Sequence, residues 1–237
     1  MRKYSDSPPL TGNGPRVGLG PFTLALDSGS PLVSLALGDG DEIIAQSSSP
    51  GGPSSPPLLE QLDALLGSID RQVHNIERMI GARGPGSFTG LRGGLASLLG
   101  LSQALDIPAT AVPSFLPLAA QATTSGRVVA AMDALRGEWF VQALESPSGP
   151  PCCEPSILTP DELAIWAPCR IIAFGSRPLE EAFDSRDDIS VQEARPLGPE
   201  LVAIACDERL QWNPLTLTTP LYLRPAATGA KLPQSGL

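Results

Sequence analysis

The sequence predicts an α/β protein built from two related lobes, each a mixed sheet with helices, the second lobe being abridged. Three observations support this fold class. Short apolar runs alternate with segments whose leucines recur at helical spacing. The run from Val128 to Asp133 repeats the pattern of the run from Phe22 to Asp27, including the aspartate that ends it. A hydrophobic content of 42% over 237 residues can also fill a sizeable core.

The first lobe is predicted to contain strands and helices in the order β-β-β-α-β-α-β. Its first three strands form an antiparallel meander, because turns rich in glycine and aspartate separate them. The first helix begins after Pro56 and Pro57, since proline is tolerated in the first turn of a helix. The predicted strands are Phe22–Asp27, Leu32–Leu37, Glu42–Gln46, Met79–Ala82 and Ile107–Val112, and the predicted helices are Leu58–Ser68 and Thr89–Leu105.

The second lobe is predicted from the return of this pattern after Arg127. Its predicted strands are Val128–Asp133, Glu138–Leu144 and Arg170–Phe174, and its predicted helices are Asp161–Trp166 and Glu200–Leu210. The domain boundaries follow from this order: residues 22–117 form the first lobe and residues 118–224 the second. We expect residues 1–21 and 225–237 to be tails, the first rich in proline and glycine.

The most informative segment is the run Gly-Pro-Gly-Ser-Phe-Thr-Gly-Leu-Arg at residues 84–92. Its first two glycines permit positive φ, and Ser87 or Thr89 can cap the backbone N–H groups of a following helix. We therefore expect a strand-to-helix turn. A phosphate-binding loop would need a lysine after its last glycine, or the spacing Gly-x-Gly-x-x-Gly, and the run has neither.

The helix that follows this turn has two unlike faces. At about 100° per residue its leucines fall on one side. Gly90, Gly93, Ser97, Gly100 and Ala104 fall on the neighbouring side. A glycine inside a helix costs about 1 kcal/mol relative to alanine, so this face needs a compensating gain. Close approach of another helix would provide the gain, and packing of the smooth face inside the same domain is the alternative.

Composition argues against several classes of function. A formal net charge of −9 provides no field that attracts phosphate backbones, so direct nonspecific binding of nucleic acid is not expected. The four cysteines lack the spacing of zinc ligands, and reduced thiols fit a cytoplasmic protein. The single histidine, His74, argues against a histidine-rich metal site or a Ser-His-Asp triad. Neither a secretory signal nor a membrane-spanning apolar run is found.

Four segments resemble the TsaB (YeaZ) family: Leu24–Ser28, Gly84–Arg92 followed by Gly94–Ala96, Met132–Glu138 and Leu221–Arg224, whereas Gly93 replaces a branched apolar residue that is usual in the family. The run at 84–92 is the specific part of the resemblance, and the order and spacing match along residues 22–224. The resemblance implies a two-lobed actin-like/Hsp70-like (ASKHA) fold. It also implies a role in the bacterial complex that makes threonylcarbamoyladenosine in tRNA, at the adenosine adjacent to the anticodon.

Partners and cofactors are likewise implied by the resemblance. The family is regarded as a non-catalytic dimerisation subunit that accompanies a catalytic paralogue, TsaD, while an ATPase, TsaE, joins the complex. No cofactor is expected on this chain, and ATP and a metal ion are expected on the partner subunits. Contact with tRNA is expected only through the complex, no membrane is involved, and a homodimer through the same helices is an alternative assembly.

The expected partner interface lies on the two helices of the first lobe and the turn between them. Its residues are Leu59, Leu62, Leu66, Ser87, Phe88, Thr89, Gly90, Arg92, Gly93, Ser97 and Gly100. Arg92 has an alternative role, a salt bridge to a local carboxylate. The chain departs from the family at Pro53–Glu60, where a His-Ser-Glu-x-Leu-Leu-Pro stretch is often found, so the polar contacts of the first helix differ.

Nucleotide binding stays unassigned, with Asp27, Ser28 and Asp133 as weak candidates. An actin-like ATPase needs glycine-rich turns on both lobes, and the second lobe has side chains in that place, at 133–136. Asp27 and Asp133 either form a carboxylate pair at an interlobe cleft or simply end their strands. The alternative function is a stand-alone peptidase, with Ser87 or Thr89 as the nucleophile, or an ASKHA-type ATPase or kinase.

Overall fold

The structure of the protein is a computed structural model that describes residues 20–52 and 55–224. The predicted tails, 1–21 and 225–237, lie outside the described residues apart from Gly20 and Pro21. Within the described ranges, none of the helices has the length and apolar character needed to cross a bilayer.

Two five-stranded mixed sheets form the framework. The first contains Phe22–Asp27 (β1), Leu32–Asp39 (β2), Glu42–Pro50 (β3), Arg78–Ala82 (β4) and Ala109–Val112 (β5), in the order β3-β2-β1-β4-β5. The second contains Val128–Asp133 (β6), Trp139–Leu144 (β7), Ser156–Leu158 (β8), Cys169–Ala173 (β9) and Ile189–Glu193 (β10), in the order β8-β7-β6-β9-β10. The helices are Leu58–Gly67 (α1), Phe88–Leu105 (α2), Phe115–Ala119 (α3), Pro160–Leu163 (α4), Arg177–Phe183 (α5) and Gly198–Ala205 (α6).

The two sheets have the same topology, which confirms the predicted two-lobed fold. In each sheet the first three strands pair antiparallel and the last two run parallel to the first. The second lobe is abridged, as predicted. Strand β8 has 3 residues where β3 has 9, and helix α5 has 7 where α2 has 18.

Two helices are exchanged between the lobes. Helices α1 and α2 pack their leucines on one face of the first sheet, and α6, from the far end of the chain, covers the other face. Helix α3 follows β5 of the first sheet but packs on the second, opposite α4 and α5. The chain therefore crosses to the second lobe at α3 and returns to the first at α6, and the boundary predicted after residue 117 falls within α3.

The structure differs from the prediction in several element boundaries. Strand β3 continues to Pro50, beyond its predicted end at Gln46, because an edge strand tolerates serine and proline on its unpaired side. Helix α6 ends at Ala205 and not at Leu210, and Asp207 Oδ1 then accepts a turn-forming hydrogen bond from the Arg209 N–H at 2.9 Å. Elements α3, α5, β8 and β10 were not predicted, since each is too short for a clear periodicity.

Because α6 completes the core of the first lobe, truncating its buried leucine should destabilise the protein. Leu201 is fully buried against the first sheet. We expect Leu201→Ala to lower the free energy of unfolding by about 2–5 kcal/mol in urea denaturation. Leu215→Ala, at an exposed leucine, is the control and should change it by less than about 0.5 kcal/mol. Equal effects of the two substitutions would contradict this packing.

Candidate docking face and interlobe cleft

The glycine run forms the strand-to-helix turn that the sequence predicts. Gly84, with φ of +101°, follows β4 and exchanges two hydrogen bonds with Ser114. Ser87 is the N-cap of α2, its side chain accepting a hydrogen bond from the Gly90 N–H at 3.2 Å. The Ser87 N–H donates to the Gly29 carbonyl at 2.8 Å, which fastens the start of α2 to the turn between β1 and β2.

Part of the small face of α2 packs inside its own lobe. A Cβ atom added at Gly90 would lie 2.0 Å from the Ser28 carbonyl oxygen, and one added at Gly94 would lie 2.0 Å from Ser28 Oγ. Neither position has room for a side chain. Ser28 Oγ also donates to the Gly90 carbonyl at 2.8 Å. The predicted alternative, packing within the same domain, therefore explains these two glycines.

The rest of the small face is open. A Cβ atom at Gly93 or Gly100 would meet no heavy atom of the described residues within 4 Å. Ala96 and Ala104 on the same side are exposed, and Ser97 between them is half-buried, its hydroxyl donating to the Gly93 carbonyl. Packing within the lobe therefore gives no reason for glycine at positions 93 and 100.

The interface predicted on helix α1 is wrong for two of its three leucines. Leu62 and Leu66, expected at the partner interface, are only 4% and 2% exposed because they pack into the core of the first lobe. Leu59 is 57% exposed and remains available to a partner. Helical spacing located the leucine stripe, but it could not tell which leucines turn inward.

Arg92 lies in an aromatic cluster. Its guanidinium stacks on the Phe88 ring at 4.0 Å, and its Nε donates to the Tyr222 hydroxyl at 3.1 Å. The Phe88 and Tyr222 rings lie 5.0 Å apart. Among the described residues no carboxylate pairs with Arg92, so the predicted alternative of a local salt bridge is wrong. The Leu221–Arg224 segment was noticed in the sequence, but nothing there indicated that its tyrosine reaches α2.

A cleft of about 1550 Å³ separates the two lobes. One wall consists of the β1–β2 turn and the side of α2 that carries Thr89, Gly93 and Ser97. The other wall is the hairpin between β6 and β7, residues 132–136, together with Phe140, Phe174 and Arg224. Ser28, a weak nucleotide candidate from the sequence, lines the first wall. The open part of α2 is thus continuous with the cleft.

Asp27 and Asp133 do not face the cleft as a pair. Asp27 is fully buried, and its Oδ1 accepts hydrogen bonds from the N–H groups of Gly29 at 2.9 Å and Ser30 at 3.3 Å. Burial raises the pKa of the Asp27 carboxyl above its ordinary value. Asp133 is exposed and lines the cleft. The interpretation of Asp27 as a turn-forming aspartate at a strand end is the one that its hydrogen bonds support.

The β6–β7 hairpin has an unusual tip. Leu135 and Arg136 have φ angles of +65° and +63°. This left-handed backbone conformation is uncommon for residues other than glycine and asparagine. Asp133 Oδ1 accepts a hydrogen bond from the Leu135 N–H at 2.7 Å. The Arg224 guanidinium donates to the Ala134 carbonyl and to the Glu138 carboxylate, and so holds the base of the hairpin.

Comparison with known proteins finds similarity to the TsaD and TsaB families. The family model of TsaD, described as tRNA N6-adenosine threonylcarbamoyltransferase, matches residues 55–146. The tRNA threonylcarbamoyladenosine biosynthesis protein TsaB of Bacillus subtilis (strain 168) is 30% identical over 128 residues, 53% of this chain and 56% of that protein. TsaB of Escherichia coli (strain K12) is 29% identical over 120 residues, 49% of this chain and 52% of that protein.

Over about half of its length the chain is similar to proteins of the TsaB (YeaZ) family. The matched segments span about half the length of both TsaB relatives. An uncharacterized Pseudomonas aeruginosa protein with similarity to peptidase YEAZ has a TM-score of 0.70 and 22% identity, over 86% of this chain and 100% of that one. YeaZ from the same organism has a TM-score of 0.62 and 21% identity, over 78% and 90%. These two structures show the fold.

The described residues give no support to a metal site or to the candidate nucleophiles. Among residues 20–52 and 55–224, no group of three His, Cys, Asp or Glu side chains could hold a metal ion. His74 is exposed. Ser87, nominated for a peptidase, uses its oxygen as the cap of α2, and Thr89 is an exposed residue of the first turn.

The two glycines at positions 93 and 94 should respond oppositely to alanine. Gly94→Ala places a methyl group 2.0 Å from Ser28 Oγ and should lower the free energy of unfolding by about 1–3 kcal/mol. Gly93→Ala places it in open space and should raise that free energy by about 0.5–1 kcal/mol. Urea denaturation measures both. Destabilisation by Gly93→Ala would show that this side of α2 is closed.

The buried Asp27 should make stability depend on pH. Since its pKa is raised in the folded state, its contribution is present below the unfolded pKa, near 3.8, and is lost as pH rises through the folded value. Asp27→Asn removes this ionisation. The free energy of unfolding of Asp27→Asn, relative to the unsubstituted chain, should therefore increase from about pH 4 to about pH 8. A difference that stays constant across this range would contradict the raised pKa.

Proposed function

We propose that this chain is a non-catalytic scaffold subunit in the biosynthesis of threonylcarbamoyladenosine in tRNA. In this role it binds and activates the TsaD paralogue, which transfers a threonylcarbamoyl group to N6 of the adenosine adjacent to the anticodon. The names of the two TsaB relatives support the pathway. The match of residues 55–146 to the TsaD family supports a paralogous partner, because that segment contains both helices of the docking face.

One observation carries the scaffold role: α2 keeps glycine at two positions where its own lobe leaves open space. Gly93 and Gly100 together weaken the helix by about 2 kcal/mol relative to alanine. Within the chain, no contact of the described residues compensates for this. A helix from another molecule would, because small residues let two helix axes approach closely and place leucines in the groove.

The docking face combines α1 and α2. It consists of Leu59, Thr89, Arg92, Gly93, Ser97 and Gly100, with Ser87 and Phe88 at its edge. An interface of standard size buries roughly 1,200–2,000 Å² in total with an apolar centre. A second copy of the chain would use the same surface, so a homodimer and the complex with TsaD would exclude each other.

The non-catalytic character is supported by the two strand-end turns. In the second lobe, Ala134, Leu135 and Arg136 occupy the place where a phosphate clamp needs glycine. In the first lobe, the carboxyl group of Asp27 is buried in its own turn. We therefore assign ATP and the metal ion to partner subunits, with TsaE as the further ATPase.

Contact with tRNA is proposed to occur only through the complex, because a net charge of −9 does not favour direct binding. The cytoplasm is the proposed location, since the tRNA substrate is found there. Both proposals, the indirect contact with tRNA and the cytoplasmic location, follow from the scaffold role.

A bulky residue on the open face should abolish docking without unfolding the chain. We expect Gly93→Leu and Ser97→Leu to weaken binding to TsaD at least about tenfold in calorimetry, because each side chain prevents close helix approach. Ala203→Leu is the matched control, since Ala203 is exposed on α6, across the first sheet from α2. It should bind TsaD like the unsubstituted chain.

Either of the following results would contradict the proposed function. One is unchanged binding to TsaD by both Gly93→Leu and Ser97→Leu in folded protein. The other is turnover of ATP or peptide by the isolated chain that Asp27→Asn abolishes, which would support the stand-alone enzyme instead.

A further inference from the structure

The wall of the cleft opposite α2 carries an exposed apolar side chain. Leu135, at the tip of the β6–β7 hairpin, is 68% exposed. It lines the cleft beside Met132 and Phe140, facing the wall that carries Gly93. An exposed leucine alone needs no explanation, but one at the rim of a groove with a smooth helical wall is placed for contact with a partner.

Arg136, the next residue, adds charge at the same place. It is exposed and lines the cleft, and none of the described residues forms a hydrogen bond or ion pair with its guanidinium. Arg224, also in the cleft, is already bonded to Glu138. Asp133 is the acidic residue among those that line the cleft, and its Oδ1 is engaged by the Leu135 N–H.

The cleft therefore differs in charge from the rest of the molecule. Asp133 balances Arg136 there, Arg224 is paired with Glu138, and Arg92 lies at the edge on Phe88, so the cleft is close to neutral, whereas the whole chain has a net charge of −9. An acidic partner is repelled less by this region than by the rest of the surface, and one of its carboxylates can pair with the Arg136 guanidinium. A second copy of the chain, itself at −9, is the less favoured occupant.

The volume of the cleft favours a segment of protein. About 1550 Å³ exceeds the roughly 300–1,000 Å³ of pockets that hold small molecules. An amphipathic helix laid into a groove contacts both walls, its apolar face against small and aliphatic residues and its charged edge against the rim.

We propose that Leu135 and Arg136 form a second contact of the docking face and bind an acidic amphipathic helix of TsaD, with an aliphatic side chain against Leu135 and a carboxylate against Arg136. The docked helix then bridges the two lobes. This inference rests on the proposed function, since it names a further part of the same interface.

The test measures the affinity and association rate of purified TsaD for the full chain. Arg136→Glu should weaken binding about tenfold, mainly through slower association, and should reduce the salt dependence of the rate. Arg136→Gln should have a smaller effect in the same direction, and Leu135→Ala should weaken binding about fivefold through faster dissociation. Unchanged melting temperatures establish that the variants fold.

Matched controls remove general effects of charge and apolar area. Arg177→Glu makes the same charge change at an exposed arginine of α5, and Ile165→Ala truncates another exposed aliphatic residue of the second lobe. Both should bind TsaD like the unsubstituted chain.

The outcomes separate this inference from the proposed function. If the unsubstituted chain does not bind TsaD, both are overturned. If it binds and the variants at 135 and 136 behave like the controls, only the second contact is overturned. If Arg136→Glu weakens self-association of the chain and leaves binding to TsaD unchanged, the occupant is a second copy, and the assignment to an acidic helix of TsaD is overturned.

Discussion

The close approach of α2 to the turn between β1 and β2 determines the rest of the arrangement. Gly86, Gly90 and Gly94 recur every four residues, and a Cβ atom at any of them would lie 2.0–2.3 Å from the backbone or side chain of residues 28–29. Because these positions carry no side chain, the helix lies directly on the turn. Its leucines then enter the core, and the neighbouring small residues at 93 and 100 face outward.

The C-terminal segment connects α2 to the second lobe. Leu217 packs into the core of the first lobe, while Leu221 and Leu223 pack against that of the second. In the same segment, Tyr222 accepts the hydrogen bond from Arg92, and Arg224 holds the base of the β6–β7 hairpin. Together with the exchange of α3 and α6, this segment ties both walls of the cleft into one framework. A partner that contacts both walls therefore binds a prearranged surface, which lowers the entropic cost of association.

Much of the fold follows from the sequence because its signals are local. Alternation, helical spacing and the glycine run located β1, β2, β4, α1 and α2 to within a few residues. What local signals cannot show is which packing partner a residue has in space. Leu62 and Leu66 share the spacing of Leu59 yet turn into the core, and Gly94 differs from Gly93 only through the distant Ser28. The contact of Arg92 with Tyr222 joins residues that are 130 positions apart.

We expect the open side of α2 to be covered by a helix of another protein molecule. An experimental structure of the full chain in complex with TsaD would show the occupant of this surface. We predict that a helix of TsaD lies across Gly93 and Gly100, with axes about 8–10 Å apart. A complex in which both glycines remain in contact with solvent would contradict it.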